Sequence, residues 1–174
     1  MKENKTPIDA GIFMGSDSDM EKMNPAKTTL EQFGIPYAAR INSAHRTIDE
    51  IPIIMRRWIA RGCRVFIAGA GGAAHLAGVI AAHTTLPVIG VPLSQKTATG
   101  INALDSLLSI VQMPAGVPVA TVAIDGSENA ALLAVQILAL SDNKLTQQLN
   151  DFKALLILKT HEKAEKLKQA GWPD

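Results

Sequence analysis

A third of this chain is nearly free of charge, and that stretch has to be accommodated by any fold. The protein has 174 residues with 17 Lys and Arg and 16 Asp and Glu, yet residues 65–124 contain only Lys96 and Asp105. A membrane span wants about 20 predominantly apolar residues in a row. Here His75, His83, Thr84, Thr85, Pro87 and several glycines cut the stretch into short apolar runs. Such runs, bounded by Gly and Pro, read as buried strands and turns rather than as a spanning helix.

The remaining composition excludes other classes. A net charge of +1 leaves no basic footprint for nucleic acid. Cys63 is the only cysteine, so neither a disulfide framework nor a thiolate metal cluster is available, and a small buried hydrophobe is its expected role. Four scattered histidines lack metal-ligand spacing. Met1 to Pro7 is polar, with no apolar signal region behind it. The expectation is a cytoplasmic enzyme-sized domain covering residues 1–174, with a tail over 1–9 and no membrane or nucleic-acid partner.

Apolar runs alternate with helical stretches. Strands are expected at Ala10–Met14, Pro36–Ile41, Arg64–Ala68, Pro87–Val91 and Val117–Ile124. Helices are expected at Met20–Phe33, Ile51–Ala60, Ala73–Ala82, Ala103–Gln112, Asn129–Leu140 and Lys144–Ala170. Alternation of this kind, with strands apolar on both faces, predicts a three-layer α/β/α doubly wound parallel sheet of the flavodoxin or Rossmann kind. On the final helix Leu145, Leu149, Phe152, Leu156 and Leu167 form a loose stripe. The stripe fits packing on its own domain and contact with another subunit equally well.

Ligands of open α/β sheets sit outside the carboxyl ends of the strands. Three polar, small-residue segments follow the first three strands and should meet at one edge. The first, Gly15 to Asp19, opens a helix and could bind an anion through its N–H groups. An ordinary capping box, Ser18 with Glu21 or Ser16 with Asp19, explains it as simply. The second, Ser43 to Thr47, pairs an arginine fork suited to phosphate with a histidine that titrates near neutrality. The third, Gly69 to His75, contains GAGGAA, which matches the dinucleotide fingerprint in form. That fingerprint wants an acidic residue about 20 positions on, and none stands between His75 and Leu104. A glycine loop that lets the backbone approach a flat ligand remains, with His75 beside it.

Five segments then carry a resemblance: MGSDSD (14–19), SAHRT (43–47), AGAGGAAHL (68–76), LPVIGVP (86–92) and DSLLSIVQMPAGVPVATVAI (105–124). In this order they resemble the class I PurE family, the N5-carboxyaminoimidazole ribonucleotide mutases of purine biosynthesis. The resemblance covers residues 10 to about 140. It implies His45 as the general acid and base. It implies Ser16, Asp17 and Asp19 at the ribose-phosphate end, and Ser43, Ala44 and Arg46 around the phosphate. Ala70, Gly71, Gly72, Ala73, His75 and Leu76 would line the imidazole and carboxylate. The implied partners are a ribonucleotide substrate, transient CO2 and further copies of the chain in an octamer, with no metal and no cofactor. The sequence departs from the family at Asn42, Ile48 and Ala77, and in a shortened turn at Asp125–Glu128. The alternatives are a class II enzyme that carboxylates aminoimidazole ribonucleotide directly, a NAD-dependent enzyme, and a nucleotide-binding module without catalysis.

Overall fold

The computed structural model describes residues 6–95 and 103–172. Lys96, singled out by its isolation in the sequence, lies outside the described residues, as does the start of the expected tail. Five parallel strands form one sheet in the order β2-β1-β3-β4-β5. They are β1 (Ala10–Met14), β2 (Tyr37–Ile41), β3 (Val65–Gly71), β4 (Val88–Leu93) and β5 (Ala120–Thr121). Five helices connect or follow them: α1 (Met20–Gln32), α2 (Glu50–Ile59), α3 (Leu76–Ala81), α4 (Leu104–Val111) and α5 (Ser127–Ala139). The expected doubly wound fold is observed.

Register explains why β1 and β3 are so apolar. Phe13 pairs with Ala68 and Ile12 with Ile67 across the central pair, and all four are essentially buried. A strand covered on both faces has no solvent side for a polar residue. On one face α2 places Ile51, Ile54, Met55 and Trp58 inward, the i, i+3, i+4, i+7 stripe of an amphipathic helix. Trp58 meets Phe13 with ring centroids 4.7 Å apart, and Phe13 meets Phe66 at 6.1 Å. Gly11 makes room for this cluster, because a Cβ there would lie 2.6 Å from Trp58 Cε3. On the other face α1 brings Met23 against Gly69, where a Cβ would sit 2.4 Å from the Met23 sulfur.

Two expectations from the sequence need correction. The strand expected over Val117–Ile124 shrinks to Ala120–Thr121, paired with Ile89 and Gly90. Pro118 has no N–H to give to a ladder, and the Val117 N–H is spent on a turn to the Pro114 carbonyl at 3.2 Å. This strand is an edge, so the uncharged third is not all interior. Leu104, Leu108, Val111 and Ile124 are exposed in the single chain. The helix expected from Ala73 begins only at Leu76. The Ala74 and His75 N–H groups are drawn into tight turns to the Gly72 and Ala73 carbonyls, both at 2.8 Å.

The chain divides into two compact units, Met1–Leu138 and Ala139–Asp174. The second unit is dominated by α6 (Asn143–Gln169). Asp142 caps it by accepting from the N–H groups of Lys144 at 2.9 Å and Leu145 at 3.2 Å. Of the predicted stripe, Leu145 and Leu149 are buried, whereas Leu156 and Leu167 are exposed. No helix among the described residues is long and apolar enough to cross a membrane.

Cys63 is buried, and its thiol donates to the Val65 carbonyl at 3.3 Å. Burial pushes the thiol up from its ordinary 9.0 to about 12. A raised acid keeps its proton in the folded chain while the unfolded chain ionises. Its contribution to stability is therefore complete below pH 9.0 and is lost as pH rises toward about 12. Cys63 is expected to resist a thiol reagent at pH 8 in the native protein and to react fully in denaturant. Colorimetric thiol titration checks this, and rapid native labelling would contradict it.

Candidate active site

The strand order reverses between β1 and β3, so the connections leave the sheet to opposite sides there. That switch point is where a crevice opens at the carboxyl ends. The loops after β1, β2 and β3 do meet at it, tied by backbone bonds from Gly15 N–H to the Gly69 carbonyl at 3.1 Å and from Asn42 N–H to the Met14 carbonyl at 2.8 Å. The resulting cleft is lined by Ser16, Asp19, Ser43, Ala44, His45, Arg46, Ala70, Gly71, Ala73, His75 and Leu76. Of the residues expected there, only Asp17 and Gly72 fall outside the lining.

The first wall is a short 3-10 turn, Asp17–Asp19, that leads into α1. It forms the capping box anticipated between Ser16 and Asp19: the Ser16 N–H donates to Asp19 Oδ2 at 2.9 Å. Asp19 is therefore a structural anchor as well as a lining residue. Burial raises its carboxyl above the ordinary value, while the N–H groups of Ser16 and Gly15 and the charge of Lys22 work against that rise. Asp17 points its carboxylate at neighbours of its own turn. The Ser16 hydroxyl and the Ser18 N–H hold it below the ordinary value.

The second wall is a self-bonded turn. Thr47 Oγ1 accepts from the Ser43 N–H at 3.0 Å and from Asn42 Nδ2 at 3.1 Å, and donates to the Ser43 carbonyl at 3.2 Å. The Ser43 hydroxyl accepts from the His45 and Arg46 N–H groups, both at 3.3 Å. This staple fixes the backbone that carries His45 and Arg46. Asn42, one of the positions where the sequence departs from the resembling family, is buried and serves the staple through its nitrogen, with its Oδ1 unpartnered.

The third wall is the glycine loop. Gly72 adopts a left-handed φ of 61°, which only glycine takes without strain. The chain thereby turns His75 back toward the second wall. His45 Nε2 lies 2.7 Å from His75 Nδ1, and the rings meet edge to face with centroids 4.9 Å apart. At this distance the line between the nitrogens holds one proton, which either ring can carry according to its tautomer. A proton can thus pass between the two rings along this contact, beside a cationic guanidinium and N–H-rich turns. Such a site suits an anionic phosphorylated ligand and reversible proton transfer.

Gly15 and Gln95 also line the cleft and were not among the expected site residues. Gly15 stands inside the MGSDSD segment and could have been named. Gln95 follows β4 in a stretch with no recognisable pattern.

Comparison with known proteins points to one family. The family model described as AIR carboxylase matches residues 9–157. A curated protein of Pyrococcus horikoshii named N5-carboxyaminoimidazole ribonucleotide mutase is 51% identical over 99% of this chain and 94% of its own length. One of the same name from Thermotoga maritima is 50% identical over 94% of each. A Schizosaccharomyces pombe protein named phosphoribosylaminoimidazole carboxylase is 51% identical, but this chain spans only 30% of it. Among solved structures, Treponema denticola PurE superposes with a TM-score of 0.80 at 29% identity, covering 91% of this chain and 98% of that one.

Proposed function

The chain belongs to the AIR carboxylase family, and from that premise we infer that it is the mutase that converts N5-carboxyaminoimidazole ribonucleotide to 4-carboxy-5-aminoimidazole ribonucleotide. It is an isomerase of purine biosynthesis. The observation that carries the mutase reading is close identity, over nearly the full length, to archaeal and bacterial proteins of that name. The fungal relative with the carboxylase name is instead a much longer protein.

The reaction moves a carboxyl group from an exocyclic nitrogen to a ring carbon. The N–C bond breaks and releases CO2, while His45 gives its proton to the nitrogen. The ring carbon then attacks CO2, forming the C–C bond. Neutral His45 takes the proton from that carbon and is restored. Proton and carboxyl are both conserved, so one histidine suffices. His75, in hydrogen-bond reach, steadies the charged and neutral forms of His45 in turn. Arg46 and the Ser43 hydroxyl bind the phosphate, with Ser16 and Asp19 on the ribose side and Asp17 and Gly72 shaping the loops behind. Ala70, Gly71, Ala73 and Leu76 present small and apolar surface to the ring, which keeps water from CO2.

The cleft of one chain measures about 170 Å³, below the ~300–1,000 Å³ of an ordinary small-molecule pocket. Together with exposed Leu104, Leu108 and Val111, this supports completion by neighbouring subunits in an octamer, which a light-scattering mass tests. The cytoplasm is the compartment proposed for such a biosynthetic step.

The purified protein should convert N5-carboxyaminoimidazole ribonucleotide without ATP and leave aminoimidazole ribonucleotide plus bicarbonate untouched. Conversion of the second mixture alone would make it the direct carboxylase.

A further inference from the structure

Gln95 stands over the glycine loop, close against Gly71. A Cβ on Gly71 would lie 2.5 Å from Gln95 Nε2 and 2.7 Å from its carboxamide carbon. Gln95 is thereby a fourth wall of the cleft, facing the segment that carries His75. Its carboxamide is neutral and offers two donors, suited to a carboxylate and unable to relay a proton at neutral pH.

What holds Gln95 there is a knot around its neighbour, Ser94. The Ser94 N–H donates to Asp125 Oδ1 at 2.9 Å, and its hydroxyl donates to Asp125 Oδ2. The Lys22 ammonium, from the first turn of α1, donates to both the carbonyl and the hydroxyl of Ser94. It also lies 3.4 Å from Asp125 Oδ1. Each partner is itself tethered. The Asp125 N–H donates to the Pro92 carbonyl at 2.8 Å, with Asp125 in a left-handed φ of 55°. The Ser127 hydroxyl donates to the Lys22 carbonyl at 2.6 Å. A non-glycine residue in that conformation is costly, and here it aims a carboxylate at one backbone N–H next to the cleft.

We propose that Lys22 and Asp125 are positioning residues that clamp Ser94 and so set Gln95 against Gly71 as a substrate-carboxylate contact. The carboxylate rests on the reaction inferred above; the clamp does not. Lys22 also acts on Asp19 through its charge, and the two routes can be separated. An effect through Gln95 vanishes once Gln95 is gone, whereas an effect through Asp19 persists.

The experiment is a double-mutant cycle. Lys22→Met and Gln95→Ala should each lower kcat/KM roughly tenfold, mainly through KM, since neither group carries a proton in the reaction. The double variant should be no worse than Gln95→Ala. Lys22→Arg, which can still reach Ser94 and Asp125, should restore most of the loss. Losses that multiply, or a Lys22→Met protein with unchanged kcat/KM, would overturn the clamp while leaving the wild-type reaction intact. Independently of turnover, a crystal structure of Lys22→Met should show Gln95 displaced from Gly71, and an unmoved Gln95 would refute the proposal.

Discussion

Replacing His45 by Asn is expected to lower kcat by about 10³-fold or more while leaving ligand affinity within a few-fold. General acid–base groups contribute typically 10²–10⁴-fold, and in the proposed mechanism one group serves both proton transfers. Asparagine keeps polarity and approximate size but cannot take up and give back a proton. Binding should survive because the proposed phosphate contacts do not depend on the imidazole. The Ser43 hydroxyl is held by backbone N–H groups of residues 45 and 46, which the substitution leaves in place. Steady-state kinetics together with calorimetric titration of the product reads both quantities. Normal turnover would remove His45 from the chemistry. Loss of binding in parallel would mean that the 2.7 Å contact with His75 shapes the cleft instead.

Phe13→Ala is expected to cost about 3–5 kcal/mol, the usual range for a buried aromatic truncation. Phe13 is fully buried between Trp58 and Phe66, and neither neighbour can collapse easily into the gap. Gly11 already lets Trp58 sit as low on the sheet as the backbone permits. Against a total of roughly 5–15 kcal/mol for a folded domain, this loss brings the chain near its threshold. Urea denaturation at fixed protomer concentration measures it, since assembly would otherwise shift the midpoint. A cost under about 1 kcal/mol would show that the cluster can repack.

How far the sequence could be read follows from where side chains carry the signal. The boundaries of β1 are as expected because Ala10–Met14 lies between Asp9 and the Gly15-Ser16 turn and is packed on both faces. The ends of β3 and β4 run on to Gly71 and Leu93, past Gly69 and Pro92, residue types that read as breakers. Their pairing is supplied by neighbouring strands, which a local pattern does not reveal. Much of β5 is lost to Pro118, a signal that was present but outweighed by the alternating apolar residues around it. The convergence of the three loops was legible, because parallel topology alone sends them to one edge. The meeting of His45 with His75 was not, since it depends on the lateral order β2-β1-β3 and on the left-handed turn at Gly72. Gln95, Lys22 and Asp125 escaped for the same reason. Their contacts join α1, the end of β4 and the turn before α5, and no local spacing encodes that.

In the proposed mechanism, carboxyl transfer occurs within one cleft. It is tested most directly by supplying N5-carboxyaminoimidazole ribonucleotide labelled with 13C in its carboxylate, in buffer saturated with unlabelled bicarbonate, and following the product by mass spectrometry. Released CO2 that is recaptured beside Ala70 and Gly71 leaves the label in the product. A product carrying mostly unlabelled carbon would mean that CO2 escapes to solvent and returns from the bulk, contradicting the mutase assignment.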